Sequence, residues 1–253
     1  MKGKGISILS GLICIALALC VSLTSTGAVG VYFGQVKRSF PIYSVEREEK
    51  LLSISFDCAW GTEHTDAILS ALEAENVRAT WFMVEFWTTK YPDYVRKIDE
   101  KGHEIGTHSR THSNMSALSK ESIVDEIKTS SAVITAITGK KVNLFRPPYG
   151  DYDDLVVDTL AQMGYYTIQW DVDSLDWKDL SAGEISSRII GQAGKGSIIL
   201  CHNNGKHTAE ALPVVLSTLK NQGYTFVPIG ELIYHANYTI NSNGRQVPVE
   251  NIG

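Results

Sequence analysis

Charge is missing from the start of the sequence: no Asp, Glu, Lys or Arg occurs between Lys4 and Lys37, and Ile6 to Leu23 is almost continuously apolar. Cysteine and proline are scarce, with 4 and 7 among 253 residues. Such counts exclude a disulfide-dense miniprotein and a collagen-like or proline-rich chain. An excess of basic residues is also absent, since 23 Lys and Arg stand against 28 Asp and Glu. Without the two charges of Lys2 and Lys4, the net charge of −5 becomes −7 for the remainder. So acidic a body is a poor polyphosphate binder, and no nucleic-acid partner is expected.

Two lysines, 18 mostly apolar residues and a small polar stretch (Ser22, Thr24, Ser25, Thr26, Gly27) together have the pattern of an export signal or a signal anchor. Either predicts an extracytoplasmic body. Cleavage would use the small residues Ala28 and Gly30, whereas the length of the run favours a retained N-terminal membrane helix. Basic residues flank the run on both sides (Lys2 and Lys4; Lys37 and Arg38), which leaves its orientation undecided. The expected organisation is a signal or anchor over 1–36, a juxtamembrane linker over 37–50, a folded domain over 51–235 and a polar tail over 236–253.

From Leu51 short β-rich runs alternate with helical patterns. Strands are expected at 51–56, 79–84, 103–107, 143–145, 165–169, 197–201 and 224–227. Helices fit 64–75, 91–101, 119–138, 153–163, 183–193 and 208–222. In the first of these Ala67, Ile68, Ala71 and Leu72 share a face, and Gly139 is placed to stop the third. With no repeat and no Ser/Pro-rich linker, the alternation predicts one α/β domain with a parallel sheet. Such sheets collect their chemistry beyond the C-terminal ends of the strands.

The residues at those ends are Asp57-Cys58-Ala59-Trp60-Gly61, His108-Ser109-Arg110-Thr111-His112, Arg146-Pro147-Pro148-Tyr149, Asp171 to Trp177, and Leu200-Cys201-His202. His108 and His112, four apart, would face the same way on one helical turn and can hold a divalent cation. Alone, that spacing is as readily a surface or capping feature; a carboxylate and a further His on neighbouring loops shift the balance. Arg146 before a stiff Pro-Pro-Tyr turn is placed to grip a carboxylate. Trp177 suits either core packing or the wall of a sugar or acyl pocket.

These five motifs, in this order over roughly 50–230, resemble the polysaccharide deacetylases of the NodB-homology type (carbohydrate esterase family four). The Phe-Asp-Cys-Ala-Trp-Gly variant and the N-terminal segment look most like the PdaB-type sporulation subgroup. The resemblance implies a single distorted (β/α) barrel of about seven or eight units, acting on N-acetylated glycan of the cell wall. It implies a divalent metal, zinc being the best match, on His108 and His112, with Asp57 as base and His202 as acid. Arg146 would hold the active-site carboxylate and Asp176 would orient the acid, with Asp173 a near competitor. Tyr149 would offer a main-chain N–H to the oxyanion, and Trp177 and Leu200 would line the acetyl pocket.

One position departs from that pattern. Cys58 stands where most active members have the third metal ligand, an Asp. A thiolate ligand would complete a Cys-His-His site. The other reading makes Cys58 an apolar filler and the protein a weak or inactive glycan-binding relative. Cys201, one residue before His202, is expected to point away from the face His202 uses, and no disulfide with Cys58 is expected.

Overall fold

The computed structural model describes residues 38–249. The proposed signal or anchor over 1–36 lies outside them, and no helix among the described residues is long and apolar enough to cross a membrane. The sheet contains β2 (Leu51–Cys58), β3 (Thr80–Met83), β4 (Glu104–Thr107), β5 (Leu144–Phe145), β6 (Tyr166–Thr167), β7 (Val172–Asp173) and β8 (Ile198–His202). Its order is β6-β5-β4-β3-β2-β8-β7, and every pair is parallel. A further strand, β9 (Thr225–Phe226), pairs with the first two residues of β2.

Side-chain alternation on these strands separates two interiors. On β2, Leu52, Ile54, Phe56 and Cys58 pack with Ile68 and Leu72 of the helix Thr65–Ala74 and with Leu212 and Val215 of the helix Thr208–Asn221. Trp81 and Met83 of β3 and Ile199 and Cys201 of β8 join this outer core. The alternate residues turn inward, where Phe82, Leu144, Ile168 and Ile198 form a second cluster. Each buried aliphatic side chain contributes about 1.5–3 kcal/mol of apolar transfer energy. Two such layers around a curled parallel sheet are what a distorted (β/α) barrel requires, and the expected fold class holds.

The curl is not closed by β6 and β7 pairing with one another. Ile42 bridges to Ile168, and Ser44 bridges to Ser197 just before β8. The segment 42–45 thus fills the seam, with Ile42 packed in the inner cluster. The stretch read as a linker therefore contributes β1 (Ser44–Val45), and the expected polar tail folds instead into the hairpin β10 (Tyr238–Ile240) and β11 (Arg245–Pro248). β1 pairs parallel with β11, which ties both ends of the described chain to the seam.

All six expected helices form. That of 119–138 runs Lys120–Thr138, capped by the Ser119 side chain and ended at Gly139 with φ 72°. In the helix Thr65–Ala74, Leu69 rather than Ala67 turns inward.

Candidate active site

Register brings the two ends of the site together. Asp57 and His202 are Cα partners across β2 and β8, and both side chains face a cavity of about 520 Å³ beyond the strand ends. His108, His112, Tyr149, Trp177 and Leu200 line the same cavity.

Arg146 is fully buried. Its Nη1 donates to Asp57 Oδ1 at 2.9 Å and its Nη2 to the Gln169 carbonyl at 3.2 Å, while the guanidinium lies 4.2 Å over the Phe82 ring. Burial alone would raise the Asp57 carboxyl, but Arg146, and after it His108 and His202, hold it below its ordinary value. Asp57 is therefore a carboxylate across the physiological range. Close approach of Phe82 needs Gly106 on the adjacent strand, because a Cβ there would lie 2.6 Å from the ring.

The loop carrying His108 and His112 is not the helical turn expected from their spacing. Ser109 and His112 both have positive φ, 71° and 58°, and residues 108–112 form neither helix nor strand. Glu126, on the helix Lys120–Thr138, accepts from the Arg110 and Thr111 N–H groups and the Thr111 hydroxyl, and Ser109 Oγ accepts from the His112 N–H. The doubled-back loop still brings the imidazoles to a centroid separation of 5.0 Å. Glu126, a buried carboxylate far along the chain, gave no sequence signal of this role.

On the other side, Asp176 is fully buried and receives His202 Nδ1 at 2.7 Å, the His202 N–H at 2.8 Å and the Thr208 hydroxyl at 2.7 Å. Burial disfavours the imidazolium, yet the hydrogen bond and charge of Asp176 outweigh it and raise His202 above its ordinary value. Asp173 does not make this contact: its carboxylate accepts from the Leu175 N–H and lines the cavity. Asp171 is not at the cavity; it binds the Ser197 hydroxyl and the Ile198 N–H.

Trp177 stands in a single 3₁₀ turn, Asp176–Lys178, between Leu175 and Asp179, both left-handed at φ 54°. That strained turn leaves the indole 57% exposed at the rim. Tyr149, also left-handed at φ 59°, and Trp60 flank His112 at centroid distances of 4.6 and 5.0 Å. Trp60 and Trp170 line the cavity as well. Their sequence signal, bulky aromatics directly after strand ends, was present but not assigned a role. Asn203 and Trp87 hold the Trp60 loop by donating to the Gly61 carbonyl, each at 2.8 Å.

The histidine pair has the right chemistry for a divalent cation, but the donor set does not complete it. His108 Nδ1 lies 2.7 Å from the Arg146 carbonyl, which can only accept, so Nε2 presents its lone pair to the cavity. His112 is held neutral, lowered to about 4 by burial and by His108. Cys58 is not brought to them. It ends the outward-facing row of β2, fully buried in the outer core, and burial pushes its thiol well above the ordinary range. Its thiol donates a long, weak hydrogen bond to the Phe56 carbonyl at 3.9 Å. Among the described residues no three His, Cys, Asp or Glu side chains converge as a cation site, so the donors do not fit a three-ligand metal. Three further donor side chains follow closely after β2 in the sequence: Asp66 is engaged with Lys97 and Tyr94, and neither Glu63 nor His64 lines the cavity. Cys58 and Cys201 are both free and buried.

Residues 44–168 match the model of the polysaccharide deacetylase family. The chain is 32% identical over 196 residues to the peptidoglycan-N-acetylmuramic acid deacetylase PdaA of Bacillus subtilis, covering 76% of this chain and 74% of PdaA. It is 33% identical over 186 residues to the peptidoglycan-N-acetylglucosamine deacetylase PgdA of Listeria monocytogenes, covering 74% of this chain. The chain spans only 60% of the length of another relative, YlxY of Bacillus subtilis, and 39% of PgdA. Among solved structures, BA3943 of Bacillus anthracis, described as a CE4 family pseudoenzyme, superposes with a TM-score of 0.74 at 34% identity, covering 77% of this chain and 69% of that one. A BA3943 mutant described as having restored enzymatic activity matches at the same TM-score and 35% identity. With the fold, the strand-end residues and the identity to PdaA over three quarters of both chains in agreement, the chain belongs to the polysaccharide deacetylase family.

Proposed function

We propose that this protein is a hydrolase that removes N-acetyl groups from cell-wall glycan of the peptidoglycan type, outside the cytoplasm. The observation that carries the reading is the in-register pair Asp57 and His202, one held anionic by Arg146 and the other biased to its cation by Asp176. Asp57 takes the proton of the attacking water. His202 protonates the departing amine, which leaves poorly as an anion. Tyr149 offers its main-chain N–H to the oxyanion, and Trp177 and Leu200 enclose the acetyl group. The same ion pair that fixes Asp57 also lowers its basicity. Sporulation and attachment through 1–36 belong to the same proposal, tested by the timing of expression and by membrane fractionation.

Acetate release from N-acetylated peptidoglycan glycan tests the assignment. Asp57→Asn and His202→Ala should each lower it by about a hundredfold or more; release unchanged in both variants would remove them from these roles.

A second reading, glycan binding without turnover, is favoured by one observation: the Cys58 thiol lies in the outer core, leaving the histidine pair without a third protein ligand. Its signature is glycan affinity in the wild type with no acetate released at any zinc concentration.

A further inference from the structure

The side chains lining the cavity include two carboxylates, Asp57 and Asp173, and no Lys or Arg. Asp57 is neutralised by Arg146 behind it, and that guanidinium is fully buried and spent on Asp57 and the Gln169 carbonyl. Asp173 has no such partner: Arg188 donates to its main-chain carbonyl, not its carboxylate. Lys178 lies over the Trp177 ring at 4.8 Å and is not part of the lining. His202 is the one lining group biased to its cation, and its Nδ1 is committed to Asp176. Around the mouth, Trp60, Tyr149 and Trp177 are 55, 68 and 57% exposed. Broad apolar faces of this kind suit the faces of uncharged pyranose rings.

The two sugars of peptidoglycan-type glycan differ by one group: the muramic acid unit carries a lactyl ether ending in a carboxylate, and the glucosamine unit carries a hydroxyl there. We propose that this cavity takes the N-acetylglucosamine-type unit and turns away the N-acetylmuramic acid-type unit, with Asp173 as the specificity-determining residue. The proposal rests on the glycan reading of the site. A lactyl carboxylate entering the cavity would meet the like charge of Asp173 and no Lys or Arg, while the one lining group biased to its cation, His202, is already paired with the buried Asp176; like-charge juxtaposition at a partly desolvated surface is strongly unfavourable. Both contacts that hold Asp173 in place survive removal of its charge, because Asn keeps a side-chain acceptor for the Leu175 N–H and leaves the carbonyl to Arg188.

Calorimetric titration of the full chain with three probes tests this. The probes are tetra-N-acetylchitotetraose, a peptide-free alternating tetrasaccharide of N-acetylglucosamine and N-acetylmuramic acid, and that same tetrasaccharide with its lactyl carboxylates converted to methyl amides. At low salt the first and third should bind about tenfold more tightly than the second. The gap should narrow in concentrated salt and in Asp173→Asn, and Asp173→Lys should reverse it. Equal binding of free acid and methyl amide overturns the proposal while leaving the glycan reading intact. A gap that persists in Asp173→Asn and at high salt also overturns it, by assigning the exclusion to shape. Failure of all three probes to bind overturns the glycan reading itself.

Discussion

Replacing Asp176 with Asn isolates what holds His202 in its protonated form. The two side chains have the same shape, so the fit at the buried position is retained. Oδ2 of Asp176 accepts from the His202 N–H and the Thr208 hydroxyl, while Oδ1 receives the ring Nδ1. An Asn meets the first two with its carbonyl oxygen and turns its NH₂ toward the ring. Nδ1 must then accept, which forces the neutral tautomer with its proton on Nε2. A charge-assisted hydrogen bond worth about 1.5–3 kcal/mol is exchanged for a neutral one worth about 0.5–1.5, a loss of roughly 1–2 kcal/mol. The pH dependence follows from the raised value of His202. A group whose pKa is higher folded than unfolded stabilises fully below the unfolded value, about 6.5, and loses that contribution as pH rises through the folded value. Guanidinium denaturation should therefore show a larger penalty for Asp176→Asn at pH 5.5 than at pH 8.5. NMR titration of the His202 ring should place its midpoint lower in the variant than in the wild type, since burial is then opposed only by the more weakly acting charges of Asp57 and Asp173. Equal penalties at both pH values, or a His202 midpoint unchanged from the wild type, would refute the argument.

Cys58→Ala should cost about 1 kcal/mol for a small buried void and leave zinc affinity unchanged, whereas a ligand thiol would show a large loss of affinity in competition titrations. Cys58→Asp places a carboxylate in an apolar core and should destabilise by several kcal/mol in urea unfolding; a neutral effect would show that position 58 can reach the cavity. Gly106→Ala, whose Cβ would fall 2.6 Å from the Phe82 ring, should cost at least about 1–3 kcal/mol by the same measurement and loosen the packing under Arg146. Trp60→Ala should weaken glycan affinity severalfold in calorimetry with no change in unfolding midpoint, because the indole is largely exposed.

The barrel was legible because its seven expected strands and six expected helices carry strong periodicity, and the strand-end rule then grouped the motifs on one rim. What escaped was set by pairing over long separations. The strands β1, β10 and β11 are two to four residues long, and nothing local marks 42–45 as the segment that fills the seam. His108 and His112 do come together, but through two left-handed residues and the distant Glu126, not through helical spacing. Strand alternation also held more than was taken from it. Applied to Cys201 and His202 it separated a core thiol from a cavity imidazole; applied to Asp57 and Cys58 it gives the same division, and the thiol follows Ile54 and Phe56 outward. Choosing Asp176 over Asp173 needed burial and distance, because both carboxylates follow the fifth expected strand by only a few residues.

Counting acetate and new free amine on one N-acetylated glycan incubated with the full chain tests the central claim most directly. The account predicts that the two products rise together in equal amounts, and that Asp57→Asn lowers both by about a hundredfold or more while glycan binding persists. Glycan binding by the wild type with neither product formed would contradict hydrolysis and leave this cavity a binding site.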